Sequence, residues 1–291
     1  MRVFLLGATG TIGTAILKEL LGTGHEVTAL CRSQRSAATV AKLGATPLAG
    51  DLCDPDGWAD ALPHQEAVIH AAATFDNHMA AADLGVVRIL LKQAEKRATP
   101  LRVVYTGGCW LYGDTGGTLA TETDRFAPIP AFAWMVDHAR RLLASPALST
   151  AVLHPAMVYH AKGGVLEQML RQVRTQRPIE IWGKASTRWP LIHRDDLARA
   201  YRLLLELQGL TGHYNAVAQT GVPVAEIAGI LALSHGQTTP YVCRSRAEVL
   251  ASEGAWAEGP MLDQRLSARR LAQATGWAPR YTDLRQCFPP A

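Results

Sequence analysis

What this 291-residue chain lacks narrows what it can do. No apolar run continues for about 18 residues, the length that a membrane-spanning helix needs. Lys and Arg number 29 against 25 Asp and Glu, and the net charge of +4 is scattered with no block of one sign. That distribution gives no electrostatic footprint for nucleic acid. The five cysteines, Cys31, Cys53, Cys109, Cys243 and Cys287, are isolated and odd in number, and no C-x-x-C pair occurs. Neither a zinc site nor a disulfide framework follows from such spacing, no metal is expected, and a reducing cytoplasm suits it. No repeat of 20–50 residues and no low-complexity tract is present. The first residues run straight into a strand pattern, so no cleaved signal peptide is expected. With 48% hydrophobic and 19% charged residues, the chain has what a soluble globular protein needs to bury a large core.

What is present begins at once. Arg2-Val3-Phe4-Leu5-Leu6 is a short apolar run, and Gly7-Ala8-Thr9-Gly10-Thr11-Ile12-Gly13 follows with glycines spaced by three. Ile12, Ala15, Ile16, Leu20 and Leu21 then recur at helical spacing. Strand, glycine turn and helix in that order make a phosphate site. Gly7 permits the tight turn, Gly10 lets a pyrophosphate approach the backbone, and Gly13 lets the helix pack close to the strand. The spacing is G-x-x-G-x-x-G rather than the commoner G-x-G-x-x-G.

Strand and helix patterns alternate through the first half. Strands are predicted at Val3–Leu6, Val27–Leu30, Thr46–Ala49, Ala67–His70, Arg102–Tyr105 and Thr150–His154. Helices are predicted at Thr11–Leu21, Ser36–Leu43, Asp56–Ala61, His78–Lys96 and Phe132–Leu143. Repeated βα units imply an α/β fold, a doubly wound parallel sheet of the Rossmann type covered on both faces. After about His160 the pattern changes. Helices at Val165–Thr175, Asp195–Leu207, Val224–Leu231 and Arg265–Ala274 are separated by short strands such as Ile179–Trp182 and His213–Ala216. The expected organisation is a dinucleotide-binding domain over 1–160, to which elements of 195–220 return, and a smaller mixed α/β substrate lobe over 161–291. A lobe at the carboxyl ends of the strands would close a cleft over a ligand.

The second strand bears on cofactor choice. An NAD site places Asp or Glu at its end to hold the ribose hydroxyls. Here Glu26–Leu30 runs into Cys31-Arg32-Ser33-Gln34-Arg35, with no carboxylate and two guanidinium groups where a 2′-phosphate would lie. Arg suits that charge because its planar fork binds it bidentately. NADP(H) is therefore favoured, with Arg32 the first contact and Arg35 the second, and NAD(H) stays open. Asp51 and Leu52 follow the third strand, where a carboxylate and a backbone N–H read an adenine edge, or where Asp51 caps a turn. Ala71, Ala72 and Ala73 follow the fourth, as a surface for a flat ring or as close packing.

Together these segments resemble the extended short-chain dehydrogenase/reductase superfamily, in its NAD-dependent epimerase/dehydratase branch, over nearly the whole chain. Gly7–Gly13 matches the nucleotide loop and Gly50-Asp51-Leu52 the adenine segment. Tyr105–Asp114 (YTGGCWLYGD) matches the fifth strand and its loop. His154-Pro155-Ala156-Met157-Val158-Tyr159 resembles the family's Arg-Pro-x-x-Val-Tyr, and Arg188–Ala198 (RWPLIHRDDLA) its Arg-x-x-x-x-His-Val-x-Asp-Leu-Ala. Gly212–Ala216 and Gly276-Trp277-Ala278-Pro279 complete the order. The resemblance implies hydride transfer at a nicotinamide, a Tyr acid or base assisted by a Lys four residues on, and a Ser or Thr on the substrate oxygen. It adds Thr9, Thr11 and Ile12 of the glycine turn, Thr106, His154 and Pro155 to the cofactor side. It also implies a homodimer through the helices near His78–Lys96 and Phe132–Leu143.

The chain departs from that pattern at each catalytic position. Aligning on Tyr112-Gly113 puts Gly108 at the Ser or Thr position, with Thr106 two residues earlier as a partial replacement. Between Gly113 and His154 there is no Tyr and no Lys; one register sets Trp134 and His138 on the two positions. An indole has no proton to titrate in the useful range, whereas an imidazole ordinarily titrates near neutrality. His138 is thus the first candidate acid or base, followed by Tyr112 and Thr106. Adjacent helix positions do not face each other, so Asp137 is not its partner. Trp110, Tyr112, Trp134, Tyr159, Trp182 and Arg188 are the expected substrate-side residues. The aromatics suit an apolar or ring-shaped substrate, and Arg188 matches a position that holds a nucleotide-sugar phosphate in relatives. Three readings follow. The first is an NADP(H)-dependent oxidoreductase without the Tyr-x-x-x-Lys couple, acting on a small carbonyl or sugar-derived compound. The second is a catalytically inactive NADP(H)-binding redox sensor or regulatory protein. The third is a nucleotide-sugar epimerase or dehydratase.

Overall fold

Short β-branched runs and amphipathic helices alternate as their periodicities dictate. The computed structural model describes residues 1–238 and 241–291. In its first half lie β1 (Arg2–Leu6), α1 (Thr11–Gly22), β2 (Glu26–Cys31), α2 (Gln34–Leu43), β3 (Thr46–Ala49), β4 (Ala67–His70), α3 (Met79–Ala94), β5 (Leu101–Thr106), α4 (Trp134–Ala144) and β6 (Leu148–Pro155). The second half carries β7 (Met157–His160), β8 (Gly163–Gly164), α5 (Glu167–Arg174), β9 (Ile179–Trp182), β10 (Arg188–His193), α6 (Arg194–Glu206), β11 (Gly212–Ala216), β12 (Gln219–Pro223), α7 (Val224–Leu233), β13 (Tyr241–Arg244), α8 (Arg246–Glu253) and α9 (Arg269–Thr275). The segment predicted as an α-helix at Asp56–Ala61 is instead a 3-10 run over Pro55–His64 with Pro63 inside it. Proline has no N–H for the α-helical ladder and clashes with the preceding turn, so the tighter winding prevails.

Seven strands form one sheet in the order β11-β6-β5-β4-β1-β2-β3. The pairs from β6 through to β3 are all parallel. The chain winds outward from β1 to β3 on one side and from β4 to β6 on the other. The fold is thus the α/β doubly wound Rossmann type, and its order reverses between β1 and β4. At that point two loops leave neighbouring strand ends, which is where ligands of such sheets bind. Leu6 is in register with His70, so Gly7 and Ala71 begin those two loops side by side.

The chain divides into two compact units. The first comprises Met1–Gly107, Trp134–Leu153 and Leu197–Tyr214. Its core includes Phe4, Leu6, Trp58, Val68, Leu90 and Tyr105, packed between the sheet and its helices. Arg102 on β5 is 1% exposed, and its guanidinium donates to the carbonyls of Leu204, Ser149 and Gln208. Leu204 and Gln208 lie at the end of α6 and just beyond it, so this buried cation answers carbonyls that the helix leaves unpaired.

The second unit comprises Gly108–Ala133, His154–Asp196 and Asn215–Ala291. It holds a four-stranded sheet ordered β12-β10-β7-β8 and the pair β13-β9. Asp196, in the first turn of α6, accepts backbone N–H groups from Arg280 and Tyr281, and its carbonyl accepts from the Trp277 indole. The predicted helix at Arg265–Ala274 starts four residues later, at Arg269. The preceding segment is extended, because Leu266 bridges Ala120 and the Gln264 amide donates to the carbonyls of Cys109 and Gly113. The short helix α8, opened by a Ser245–Glu248 capping box, has too few residues to show a period in sequence.

Candidate functional site

The glycine turn is built by backbone contacts that a side chain would break. Gly7 has φ +90°, and a Cβ there would lie 2.5 Å from the Ala71 carbonyl oxygen. At Gly13 a Cβ would lie 1.9 Å from the Gly7 carbonyl oxygen, so α1 crosses directly against the turn. Gly10 differs: its Cβ would meet only the Gly7 oxygen at 3.5 Å, an ordinary contact with open space beyond. Its N–H closes the turn onto that oxygen, and its own carbonyl accepts the first α1 bond from Thr14. Gly10 is also the N-cap of α1 and offers no side-chain cap. The first N–H groups of α1 and the positive end of its dipole therefore face a space that only glycine leaves clear. Thr9 and Thr11 are exposed at the rim and Ile12 is half-buried.

Around this turn stand the other predicted cofactor residues of the first unit. Arg32 and Arg35 are exposed at the end of β2 and the start of α2. Arg32 is close enough to Asp76 to help hold its carboxyl below the ordinary range, after the hydrogen bonds from Thr74 and His78. Asp51 accepts the Cys53 N–H at 2.9 Å, so one of its oxygens serves a local turn. Leu52 and Ala72 pack against the hydrophobic core, Ala71 is half-buried and Ala73 exposed.

A second constellation lies in the same unit. Asp83 projects from the buried face of α3. Its Oδ2 accepts the Tyr105 hydroxyl at 2.8 Å and His138 Nδ1 at 2.5 Å, while its Oδ1 stands 2.9 Å from His70 Nε2. Burial pushes the Asp83 carboxyl up, but His138, His70 and Tyr105, which all face it, more than offset that and hold the group below the usual range. Tyr105 goes the other way: burial, then the adjacent carboxylate, raises its phenol well above the ordinary value. His138 is thus buried at 5% exposure beside Trp134, with ring centroids 5.0 Å apart. Asp137, one residue before it, instead meets Arg141 at 2.9 Å. Thr106 donates its one proton to the His70 carbonyl at 2.6 Å and stands 2.6 Å from the Tyr201 hydroxyl. A substrate oxygen could take that proton only by releasing the His70 carbonyl.

The remaining predicted residues lie in the second unit. Tyr112 is 4% exposed and donates to Asn215 Oδ1 at 2.8 Å. Burial raises its phenol above the ordinary value, and its one proton is already given to the Asn215 amide oxygen. His154 is fully buried beside Tyr112 and Phe126, and its Nδ1 accepts the Gly108 N–H at 3.3 Å; Pro155 is buried next to it. Trp110 is half-buried and lies flat against Gly259, where a Cβ would meet the indole at 2.4 Å. Tyr159 is sealed beneath His193, with ring centroids 5.4 Å apart. Trp182 meets Trp256 edge-on at 5.7 Å. Arg188 is paired with Asp263, its Nε donating to Oδ1 at 2.9 Å. The guanidinium is thus already answered by a carboxylate, which a substrate phosphate at Arg188 would have to share or displace.

Sequence reasoning missed Asp83, the His70 ring, Tyr105 and Tyr201. One signal was available. Asp83 follows Ala82 and precedes Val86, Val87 and Leu90 on the apolar side of a helix, and a carboxylate in that position requires partners. Which partners it finds depends on strands that are distant in sequence.

Among the described residues no helix is long and apolar enough to cross a membrane, and no group of three or more His, Cys, Asp or Glu is placed to hold a metal. All five cysteines are free.

Comparison with known proteins gives a consistent result. The chain is 29% identical over 288 residues to an uncharacterized protein of Schizosaccharomyces pombe, covering 98% of this chain and 97% of that one. It is 27% identical over 256 residues, 81% of each chain, to the human epimerase family protein SDR39U1. The crystal structure of that human protein with NADPH superposes with a TM-score of 0.82 at 24% identity, over 99% of this chain and 98% of that one. The UDP-glucose 4-epimerase of Thermus thermophilus in complex with NAD superposes with a TM-score of 0.79 at 21% identity, over 96% and 94%. The family model for NAD dependent epimerases and dehydratases matches residues 3–216, from β1 to the end of the seven-stranded sheet. The chain belongs to the NAD dependent epimerase/dehydratase family.

Proposed function

We propose that the protein binds a nicotinamide dinucleotide, NADP(H) in preference to NAD(H), and catalyses oxidoreduction of a small carbonyl or sugar-derived compound, with His138 as the proton-transferring group. The observation that carries this reading is the turn at the start of α1. Gly7 and Gly13 are locked by backbone contacts, and Gly10 leaves the uncapped helix N-terminus open. Those residues suit a pyrophosphate, whose charge the first N–H groups of α1 would answer. Arg32 and Arg35, exposed beyond β2, would take a 2′-phosphate. The human relative whose crystal structure contains NADPH supports the same choice.

When bound, the nicotinamide supplies or accepts hydride; what this chain must supply is position and a proton. With the Tyr112 hydroxyl sealed and the Thr106 proton given to a carbonyl, His138 is the remaining candidate of the three. A substrate carbonyl within reach of its imidazole would be polarised by the N–H and would receive its proton. The partner class is a small molecule. The test is NADPH consumption by the purified protein with a panel of aldehydes, ketones and activated alkenes. Tight NADPH binding with no turnover would refute the oxidoreductase reading. It would favour the second one, a binding-only redox sensor, which the commitment of both Tyr112 and Thr106 already favours over an ordinary family enzyme. In the epimerase or dehydratase reading a substrate phosphate would have to share Arg188 with Asp263.

A further inference from the structure

We propose that Asp83 is a positioning residue that locks His138 as its Nδ1–H form, leaving Nε2 as the proton-transfer nitrogen, and that His70 ties this pair to the peptide at the cofactor edge. The proposal rests on the oxidoreductase reading above.

Three observations carry it. An ionised carboxylate only accepts, so the 2.5 Å contact between His138 Nδ1 and Asp83 Oδ2 requires the proton on Nδ1. The same oxygen takes the Tyr105 hydroxyl, so the carboxylate is held from two sides and cannot rotate away. On the other flank, His70 Nδ1 accepts the Ala72 N–H at 3.4 Å, which leaves Nε2 as the nitrogen that carries the proton toward Asp83 Oδ1. Its N–H lies off the line to that oxygen, so the contact is electrostatic rather than a hydrogen bond. His70 ends β4, and Ala71 meets the Gly7 turn. One buried carboxylate therefore links two imidazoles, one on α4 and one at the strand end beside the turn. The groups facing it are His70 from β4, Tyr105 from β5 and His138 from α4; Asp137, on the His138 helix, is occupied by Arg140 and Arg141.

In the reducing direction a bound reduced nicotinamide would supply hydride to the substrate carbonyl carbon. The C–O π pair moves to oxygen, and that oxygen takes the proton from Nε2 of a doubly protonated His138. The ring is left neutral, with its Nδ1 proton still on Asp83, and regains a proton from water. Asp83 keeps its charge throughout. It balances the positive ring and prevents the other neutral form, which would present a bare Nδ1 to a carboxylate.

The test is nitrogen-detected NMR of the imidazoles in the whole protein, together with steady-state kinetics. We expect a strongly downfield exchangeable proton on His138 Nδ1 in the wild type, without any ligand. Asp83→Asn offers one acceptor oxygen and one donor amide NH2, so it cannot face both imidazole N–H groups as the carboxylate does. That variant should lose the downfield proton and lower kcat by up to about 10⁴-fold, with KM for NADPH within about threefold of wild type. His138→Asn keeps a donor for Asp83 but has no Nε2. It should stay folded and lose kcat as severely, which guards against Asp83→Asn failing to fold. Absence of the Nδ1 proton in a wild type that turns over, or wild-type kcat in Asp83→Asn while His138→Asn is inactive, would overturn the proposal alone; wild-type kcat in His138→Asn would overturn it together with the proton-transfer role of His138 in the oxidoreductase reading. No turnover with any carbonyl, with the Nδ1 proton present and lost in Asp83→Asn, would overturn the oxidoreductase reading and leave the lock standing.

Discussion

Two glycines of the same turn should fail in opposite ways when each gains a methyl group. In Gly13→Ala the new Cβ would sit 1.9 Å from the Gly7 carbonyl oxygen and 2.6 Å from its carbonyl carbon. Ordinary contact begins near 3.4 Å, so α1 or the turn must give by more than an ångström. Both neighbours are backbone, and neither can rotate away as a side chain would. Overpacking of this kind costs about 3 kcal/mol or more. At 2–4 °C per kcal/mol for a domain of this size, Tm should fall by roughly 6–12 °C. In Gly10→Ala the Cβ meets one atom at 3.5 Å, and the backbone at φ −75° and ψ 174° accepts any residue. A weaker N-cap and a less flexible unfolded chain offset each other, so stability should stay within about 1 kcal/mol. The methyl would instead occupy the approach to the helix N-terminus. Losing one or two charge-assisted hydrogen bonds there costs about 1.5–3 kcal/mol, or roughly 10–100-fold in NADPH affinity. Urea unfolding followed by circular dichroism, with NADPH titration by fluorescence, separates the two effects. A Gly13→Ala protein as stable as wild type would refute the close-crossing geometry. A Gly10→Ala protein that binds NADPH normally would refute the phosphate cradle.

Other expectations test the charge assignments and the core. Arg32→Ala should weaken NADPH by roughly 10–100-fold and NADH by no more than about twofold, read by calorimetry; equal losses would defeat the 2′-phosphate contact. Burial raises the phenol pKa of Tyr105, Tyr112, Tyr159 and Tyr201 above the ordinary 10.0. Each favours the protonated folded state, so the stability they contribute is complete below about pH 10 and is lost as pH rises toward the raised values. Their phenolate absorbance should appear together with alkaline unfolding; smooth ionisation of all the tyrosines in a protein still folded would contradict this. Arg102→Met should strip the guanidinium from the buried Leu204 carbonyl and from the less buried Ser149 and Gln208 carbonyls, and lower the stability of the first unit by about 1–3 kcal/mol. An unchanged urea midpoint would show that water replaces the guanidinium at no cost.

Much of the first unit was legible because its information is local. A strand run, three glycines at fixed spacing and a helix face each declare themselves within about a dozen residues. Gly7 takes the turn conformation and Gly13 the close helix approach that their spacing implied. The second unit was less legible. Its short strands β7, β10 and β12 pair across long intervals, and the extended run before α9 mimics a helix start until Gln264 is seen bonded to Cys109 and Gly113.

The sequence by itself determined the doubly wound sheet, the glycine turn and the absence of a Tyr–Lys couple, since each depends on residue type and near-neighbour spacing. Tertiary structure alone decided which polar groups are committed. Only the fold sets Asp263 against Arg188 and Asn215 against the Tyr112 hydroxyl. Only the fold brings α3, α4, β4 and β5 together so that Asp83 meets His138, His70 and Tyr105. The physical reason is that a polar group's chemistry depends on its partners and its solvation, and in a buried site both come from segments tens of residues away.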